Sequence, residues 1–330
     1  YIKDDEANSF SGYSAGVHFF TDTKNLSCPK VTIENSKSSF GFGLDSDLSA
    51  IPEGCWFGHI EIISSGVTGF YCRSKNCEIG SVNIRNYGQN ELADVNNIGM
   101  PGFTGDTGKT YGYVVDGCEN LKVGSVTVKG SGLSSIAGAG ADFGGGTITS
   151  IDTRLSGEHG VNVRSGAELD YSKMITSYNT NKGLVSSAAK LTGGYIKSEF
   201  NTDEGALISG TDFAISYLEA YNNGGAKNNI QMTSPKGYIS KIKTWRPVVN
   251  VGGGLYITGV SDGFEYSYES IKEGDVGLYA FFAGGTDDLT CTSMKITEST
   301  NQAFRLVNVE DSSFNGVKIP NITSGSSVIG

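Results

Sequence analysis

Pairs of charged or amide residues recur in the sequence, each directly ahead of a residue that opens a short apolar stretch. The pairs are Glu158 with His159, Asn181 with Lys182, Asp203 with Glu204, and Lys227 with Asn228. Carboxylates, imidazoles and ammonium groups are the side chains that general acid–base chemistry uses. If the fold repeats with the same period as these pairs, their side chains form one strip on neighbouring rungs.

Two carboxylates of this strip have the spacing of a hydrolytic pair. Glu158 and Asp203 stand two repeats apart, and on stacked parallel strands that separation puts their backbones about 9.5 Å apart. Inverting glycosidases hold their carboxyls about 6.5–9.5 Å apart, so that one protonates the departing oxygen while the other activates a water. Glu158, Asp203, the adjacent Glu204 and His159 are therefore the candidate catalytic residues.

The same strip also permits a uronate lyase. Lys182 would then neutralise the substrate carboxylate, while His159 or a tyrosine removes the neighbouring proton. A simpler alternative is that charged residues at tight turns are only solvated, because a dozen stacked turns will contain such a cluster by chance. The sequence leaves these three interpretations open.

Aromatic residues near the strip suggest a surface for sugars, which combines flat apolar faces with polar edges. Tyr178 and Trp245 lie near predicted strands, and Arg246 follows Trp245. The candidate substrate-binding residues are these three together with Asn181, Lys182 and Lys227. Core packing is the competing role for the aromatic residues, since alternation along a strand turns some side chains inward.

A repeat of about two dozen residues positions these side chains. NTNKG (179–183) recurs as NTDEG (201–205), and a small or polar residue followed by alternating apolar residues recurs along the chain. These anchor residues are Gly16, Gly41, Gly69, Gly112, Ser135, Gly160, Gly183, Gly205, Asn229, Gly254, Gly277 and Ala303. Each unit contains about three short strands separated by turns rich in Asn, Asp, Gly and Ser.

Such a unit cannot close a core alone, whereas stacked copies bury a continuous one. The sequence therefore predicts an all-β fold, a single-stranded parallel β-helix of about 12–13 coils. Stacking also predicts a ladder of outward charges: Lys197, Glu219 and Lys243, a rung near Glu265, then Lys295 and Lys318. The one long interval predicts an inserted lobe at residues 87–111.

Composition narrows the partners. The net charge of −10 and the pI near 4.9 argue against a nucleic-acid backbone or an anionic membrane, because both would be repelled. The six cysteines show no C-x-x-C pairing, which favours buried thiols over a disulfide framework. No pattern indicates a metal or a cofactor.

The recurring strands, such as GSVNI (80–84) and GSVTV (124–128), resemble those of the pectate-lyase-like right-handed parallel β-helix superfamily. Within it, the chain is most similar to the tailspikes and capsule depolymerases of bacteriophages. The polygalacturonase and pectate-lyase motifs are absent, since Leu133 and Ser134 stand where a polygalacturonase has paired Asp.

The resemblance implies a homotrimeric spike on a virion tail, outside the cell, of which this chain is a central piece. It further implies that the spike binds and depolymerises a bacterial surface polysaccharide. A receptor-binding appendage without catalysis, and a secreted monomeric lyase or glycosidase, remain as alternatives.

Overall fold

The chain forms parallel strands stacked as a β-solenoid. The computed structural model describes residues 2–3, 15–19, 23–36, 40–44, 51–89, 110–131, 138–224, 228–246, 253–271, 279–299 and 302–319. These residues contain no helix. The predicted fold class is confirmed. Within the described ranges, no helix is long and apolar enough to cross a membrane.

The chain divides into two compact units, Tyr1–Arg164 with Leu169–Tyr171 and Ser165–Glu168 with Ser172–Gly330. Each turn contributes one strand to a first sheet and one strand to a second sheet. In the first unit the first sheet contains, in order, β1 (Ile2–Lys3), β3 (Ser27–Glu34), β5 (Trp56–Ile62), β7 (Glu78–Tyr87), β9 (Lys122–Ser131) and β11 (Gly146–Arg154). Its second sheet contains β2 (Ala15–Phe19), β4 (Phe40–Leu44), β6 (Thr68–Cys72), β8 (Tyr113–Val115), β10 (Ala141–Phe143) and β12 (Val161–Val163).

The second unit continues this alternation, and β13 (Glu168–Ser177) has residues in both units. Its first sheet contains β15 (Lys190–Glu199), β17 (Asp212–Tyr221), β19 (Lys236–Trp245), β21 (Phe264–Ile271), β23 (Leu289–Ile296) and β25 (Ser313–Phe314). Its second sheet contains β14 (Leu184–Ser186), β16 (Ala206–Ser209), β18 (Ile230–Thr233), β20 (Leu255–Thr258), β22 (Tyr279–Thr286) and β24 (Gln302–Val309).

Close stacking explains the glycine that recurs at or near the start of many second-sheet strands. A Cβ on Gly41 would come within 2.7 Å of the Gly69 carbonyl oxygen, and one on Gly183 within 2.6 Å of the Gly205 oxygen. Real Cβ atoms do not approach a carbonyl so closely, so the position favours residues without a side chain. The period read from the sequence is therefore a packing constraint between successive turns.

Two anchors of the predicted series were wrong. Ala141 pairs with both Tyr113 and Val161, so the anchor of that turn is Gly140 and not Ser135. Leu255 pairs with Phe281, which moves the next anchor from Gly277 to Ala280. Both predicted anchors lie outside the described residues, as do Leu133 and Ser134.

Each long first-sheet strand contains the two shorter strands predicted for its repeat. In β7 and β9, pairing runs through Ile79 with Val123, skips one position, and resumes at Ser81 with Ser125. β15 and β17 skip the equivalent position. Gly80 and Gly124 occupy the skipped position of β7 and β9, where a Cβ on Gly124 would collide with the Gly80 carbonyl. The strands bend at this point, which accounts for three predicted strands per turn and two observed.

A ladder of buried asparagines fixes the turns of the second unit. Asn179 Nδ2 donates to Asn201 Oδ1 at 2.7 Å, and Asn201 Nδ2 donates to Asn223 Oδ1 at 2.8 Å. All three residues are at most 2% exposed. Asn179 and Asn201 are the asparagines of the repeated NT dipeptide, so the motif is a structural device that satisfies buried backbone groups at the turn.

The predicted charge ladder is confirmed in the first sheet of the second unit. Lys197 pairs in register with Glu219, Glu219 with Lys243, and Lys243 with Glu269. Glu269 pairs in register with Lys295, and an isolated parallel backbone β-bridge joins Lys295 to Lys318. The rung that the sequence placed near Glu265 is occupied by Glu269.

All six cysteines are free. Of the predicted lobe at 87–111, the structure describes residues 87–89 and 110–111, and the prediction for the remainder falls outside the described residues.

Candidate functional site

Two of the three polar pairs of the second unit meet around one ammonium group. Lys182 Nζ lies 3.4 Å from Asp203 Oδ2, 3.6 Å from Glu204 Oε2 and 3.2 Å from Asn181 Oδ1. The Glu204 side chain is only 4% exposed, whereas that of Asp203 is 19% exposed. Asp203 is thus the carboxylate of this cluster that a ligand can reach, and Lys182 holds it in place.

Glu158 and His159 form a separate pair in the first unit. His159 Nε2 lies 3.7 Å from Glu158 Oε1, and both side chains are about one-fifth exposed, at 18% and 23%. Their separation from Asp203 stays a prediction. Lys227 lies outside the described residues.

Four outward aromatic side chains follow one another on successive rungs of the second unit; we call Tyr178, Phe200, Tyr221 and Trp245 the aromatic strip. The rings of Tyr178 and Phe200 stack with centroids 5.0 Å apart and planes 7° apart. Tyr221 meets Phe200 edge-on at 5.0 Å, and Trp245 packs on Tyr221 at 4.6 Å. Tyr178 is 53% exposed, and the other three are half-buried. The core-packing alternative therefore does not apply to these residues.

Two residues of the strip have an unusual backbone. Tyr178 and Phe200 have φ of 56° and 55°, in the left-handed region that bulky residues rarely adopt. They stand at the turn directly after β13 and β15, and Asn222 occupies the same turn after β17 with φ of 47°. Backbone strain of this kind concentrates at functional sites, which makes the aromatic strip a candidate functional site.

A second aromatic pair flanks the strip on the same outward face. Tyr195 and Tyr217 stack at 5.4 Å, Lys241 lies over the Tyr217 ring at 5.8 Å, and the Tyr195 hydroxyl donates to Glu219 at 2.8 Å. Partial burial raises the pKa of Tyr217 to about 12, and burial together with Glu219 raises that of Tyr195. Both phenols stay protonated at neutral pH and keep their hydroxyl donors.

Between this pair and the strip runs the charge ladder. Lys197 pairs with Glu199 at 2.7 Å, and Lys241 pairs with Glu269 at 2.8 Å. The face therefore has apolar rings on both sides of a polar column. A surface that binds sugars combines flat apolar faces with polar edges in this way.

Arg246 stands at the end of the strip but does not extend it. The residue is 3% exposed, so its guanidinium is not on the outward face beside Trp245. No group of three or more His, Cys, Asp or Glu side chains in the described part of the chain is arranged to hold a metal ion.

The sequence analysis missed a buried charge cluster in the first unit. Arg164 Nε donates to Asp142 Oδ1 at 2.6 Å, and Arg164 Nη1 donates to Asp116 Oδ1 at 2.8 Å. Burial raises the pKa of Asp142 even though Arg164 lies beside it. With 1% and 8% exposure, the two carboxylates are closed to a polymer, and we assign the cluster to stability. The misplaced anchor at Ser135 concealed it, because only the Gly140 register puts Asp142 beside Asn162.

No protein-family model matches the sequence, and searches of curated proteins and of solved structures find no significant match.

Proposed function

We propose that this chain binds a bacterial surface polysaccharide through the aromatic strip of its second unit. The observation that supports it is the continuous run of four outward aromatic side chains, Tyr178, Phe200, Tyr221 and Trp245, on successive rungs. Three rung spacings give the strip a length of about 14 Å, enough for a polymer to contact more than one ring.

The chemistry around the strip favours a sugar over an apolar partner. The Lys197–Glu199 ion pair and the Tyr195 hydroxyl lie beside the rings and offer donors and acceptors to the hydroxyls of a sugar. A flat aromatic face with such an edge binds amphipathic rings, whereas an apolar partner would leave these polar groups unpaired.

The wider setting of the proposal is a homotrimeric phage tailspike, located on the virion tail. It rests on the resemblance of the repeat, and an outward face is what a spike would present to a cell surface. Sedimentation of the purified chain tests the trimer, since a monomeric mass would favour the alternative of a secreted monomer.

Binding to capsule and O-chain polysaccharides from a panel of bacteria, measured by calorimetry, tests the central proposal. Trp245→Ala removes the largest ring of the strip and should weaken binding by about 2 kcal/mol, roughly thirtyfold. Tyr238→Ala is the matched control, because Tyr238 is 50% exposed but lies outside the strip. Equal loss in both variants, or in neither, would contradict the proposal.

Hydrolysis of the bound polymer is a second candidate function. The Asp203 carboxylate, held by Lys182 and still 19% exposed, supports it, because Asp203 lies three residues after Phe200 of the strip. Glu158 of the first unit is the second carboxyl that the sequence predicts, and its position relative to Asp203 stays a prediction. New reducing ends without an unsaturated uronate would indicate hydrolysis, and Asp203→Asn and Glu158→Gln should each abolish them. Normal turnover in both variants would remove this function, while binding by the strip would stand.

A further inference from the structure

A ledge with an open pocket interrupts the outward surface of the first unit. Six residues, 116–121, connect β8 to β9, whereas only Gly144 and Gly145 connect β10 to β11. The shorter turn leaves the longer one uncovered on one side. A pocket of about 440 Å³ opens at this ledge, lined mainly by Asn76, Glu78, Asn120, Lys122 and Thr147.

Exposed tryptophan and polar groups adjoin the pocket in strand register. Trp56 pairs with Glu78, Glu78 with Lys122, and Lys122 with Thr147. Trp56 is 40% exposed, one of the few large apolar side chains of the described residues with that exposure. A Cβ on Gly58 would lie 3.0 Å from Trp56 Cη2, so the indole lies back over a residue without a side chain.

Hydrogen bonds hold the amides at the rim of the pocket, while its two charged side chains form no ion pair among the described residues. Asn120 Nδ2 donates to Asn76 Oδ1 at 2.9 Å, and Asn76 Nδ2 donates to Glu53 Oε1 at 3.2 Å. This amide chain fixes the rim. Across the described residues, neither Glu78 nor Lys122 forms an ion pair within 4.0 Å, although they stand on adjacent rungs. One carboxylate, one ammonium, an amide and a hydroxyl therefore face the pocket.

We infer that this pocket is a second saccharide site, which binds one neutral pyranose ring, with Trp56 on the neighbouring rung as its reporter. An anionic ligand would meet Glu78, a cationic one would meet Lys122, and an apolar one would leave both charges unpaired. A neutral ring with adjacent hydroxyls satisfies both, accepting from Lys122 and donating to Glu78, and Trp56 stands on the rung next to Glu78. The volume suits one such ring better than a polymer chain. The class of ligand rests on the proposed function, but the site is separate from the aromatic strip.

The two tryptophans of the chain allow the sites to be tested separately, because Trp56 and Trp245 are the only ones. In the full chain carrying Trp245→Phe, Trp56 is the sole indole. Its emission should change saturably with galactose, glucose or N-acetylglucosamine, with millimolar affinity. In that background Lys122→Ala or Glu78→Gln should weaken binding at least about tenfold, as expected for loss of a charge-assisted hydrogen bond. Lys129→Ala, on the same strand, should change nothing.

Three results would overturn the inference: no response of Trp56 to any of the three sugars, stronger binding of glucuronate than of the neutral sugars, or equal affinity in the Lys122→Ala and Lys129→Ala proteins. The Trp56→Phe protein, in which Trp245 reports on the aromatic strip, distinguishes this failure from failure of the proposed function. If Trp245 emission responds to polysaccharide while Trp56 emission does not respond to the sugars, only the pocket proposal is rejected. If Trp56 responds and Trp245 does not, only the binding function of the aromatic strip is rejected.

Discussion

One left-handed turn position carries different residues on different rungs of the two units. In the first unit, the left-handed residue at the end of the first-sheet strand is Asn86 in β7 and Gly130 in β9, with φ of 58° and 75°. In the second unit the equivalent residues are Tyr178 and Phe200, followed by Asn222 on the next rung. Asparagine and glycine adopt this backbone at low cost, whereas aromatic residues do not.

The comparison separates what the fold requires from what a surface function requires. The turn forms equally well with Gly130, so stacking of the strands does not call for an aromatic ring. Leu155, 60% exposed with φ of 57° in the first unit, shows that the position also accepts an aliphatic side chain. The fold therefore does not require the rings of Tyr178 and Phe200, and the proposed function gives them a role in ligand contact.

The largest expected effect comes from the asparagine ladder beneath the aromatic turns. Asn201→Ala removes bonds to both neighbouring rungs and leaves the buried amide of Asn179 without its acceptor. The free energy of unfolding should fall by about 3 kcal/mol, measured by denaturant titration. Thr202→Ala, at the exposed neighbouring residue, should cost less than about 0.5 kcal/mol. A small effect of Asn201→Ala would mean that the ladder does not hold the turns.

The next prediction transfers the aromatic residue to the first unit. Gly130→Tyr places a bulky residue at φ of 75° and brings its Cβ within 2.8 Å of Asn86 Oδ1. Left-handed backbone costs such a residue about 1–2 kcal/mol, so the unfolding midpoint should drop accordingly. An unchanged midpoint would show that the position tolerates rings without cost, and the comparison would lose its meaning.

The reverse substitution in the second unit should separate stability from binding. Tyr178→Asn relieves the unfavourable backbone and should raise the free energy of unfolding by up to about 1 kcal/mol. It also removes a stacked ring, so affinity for polysaccharide should fall about tenfold, or 1.4 kcal/mol. Thermal unfolding and calorimetry on the same preparation measure both effects. Lower stability with unchanged affinity would assign Tyr178 to the fold.

Acid titration gives the smallest effect and opposite signs in the two units. The hydrogen bond from Lys241 lowers the pKa of Glu269, so this stabilisation is present above the ordinary carboxyl pKa and is lost as pH falls through the lowered value. Burial raises the pKa of Asp142, so its contribution is present at low pH and is lost as pH rises through the raised value.

Denaturant titrations of Glu269→Gln and Asp142→Asn at several pH values test this contrast. Glu269→Gln should cost less than about 1 kcal/mol at neutral pH, because solvent screens the pair, and the cost should vanish on acidification. The free energy of unfolding of the Asp142→Asn protein should rise relative to that of the parent as pH increases. Parallel pH dependence in the two variants would contradict the assignment.

Much of the architecture was readable from the sequence, because close stacking imposes a residue type at a fixed period. Gly41, Gly69 and Gly183 mark positions where a Cβ would meet a carbonyl oxygen, and the charges of Lys197, Glu219 and Lys243 alternate because adjacent rungs touch. Ser135 and Gly277 were wrongly predicted as anchors, because a small residue followed by apolar residues also occurs outside the column of stacked anchor residues.

The candidate site was less accessible to sequence reasoning. Alternation predicts which side chains face inward only while the strand continues, and Tyr178 and Phe200 stand just beyond the strand end, where left-handed backbone resets the pattern. The pocket beside Lys122 depends on the difference in length between two turns, and the Arg164 cluster on a register that the misplaced anchor concealed.

Fluorescence of Trp245 in the Trp56→Phe protein, titrated with capsule and O-chain polysaccharides, tests the central claim most directly. If the aromatic strip is the binding surface, at least one polysaccharide should shift the emission saturably, and Tyr178→Asn should weaken that response about tenfold. A polysaccharide that binds the protein by calorimetry while the emission of Trp245 stays constant would contradict the account.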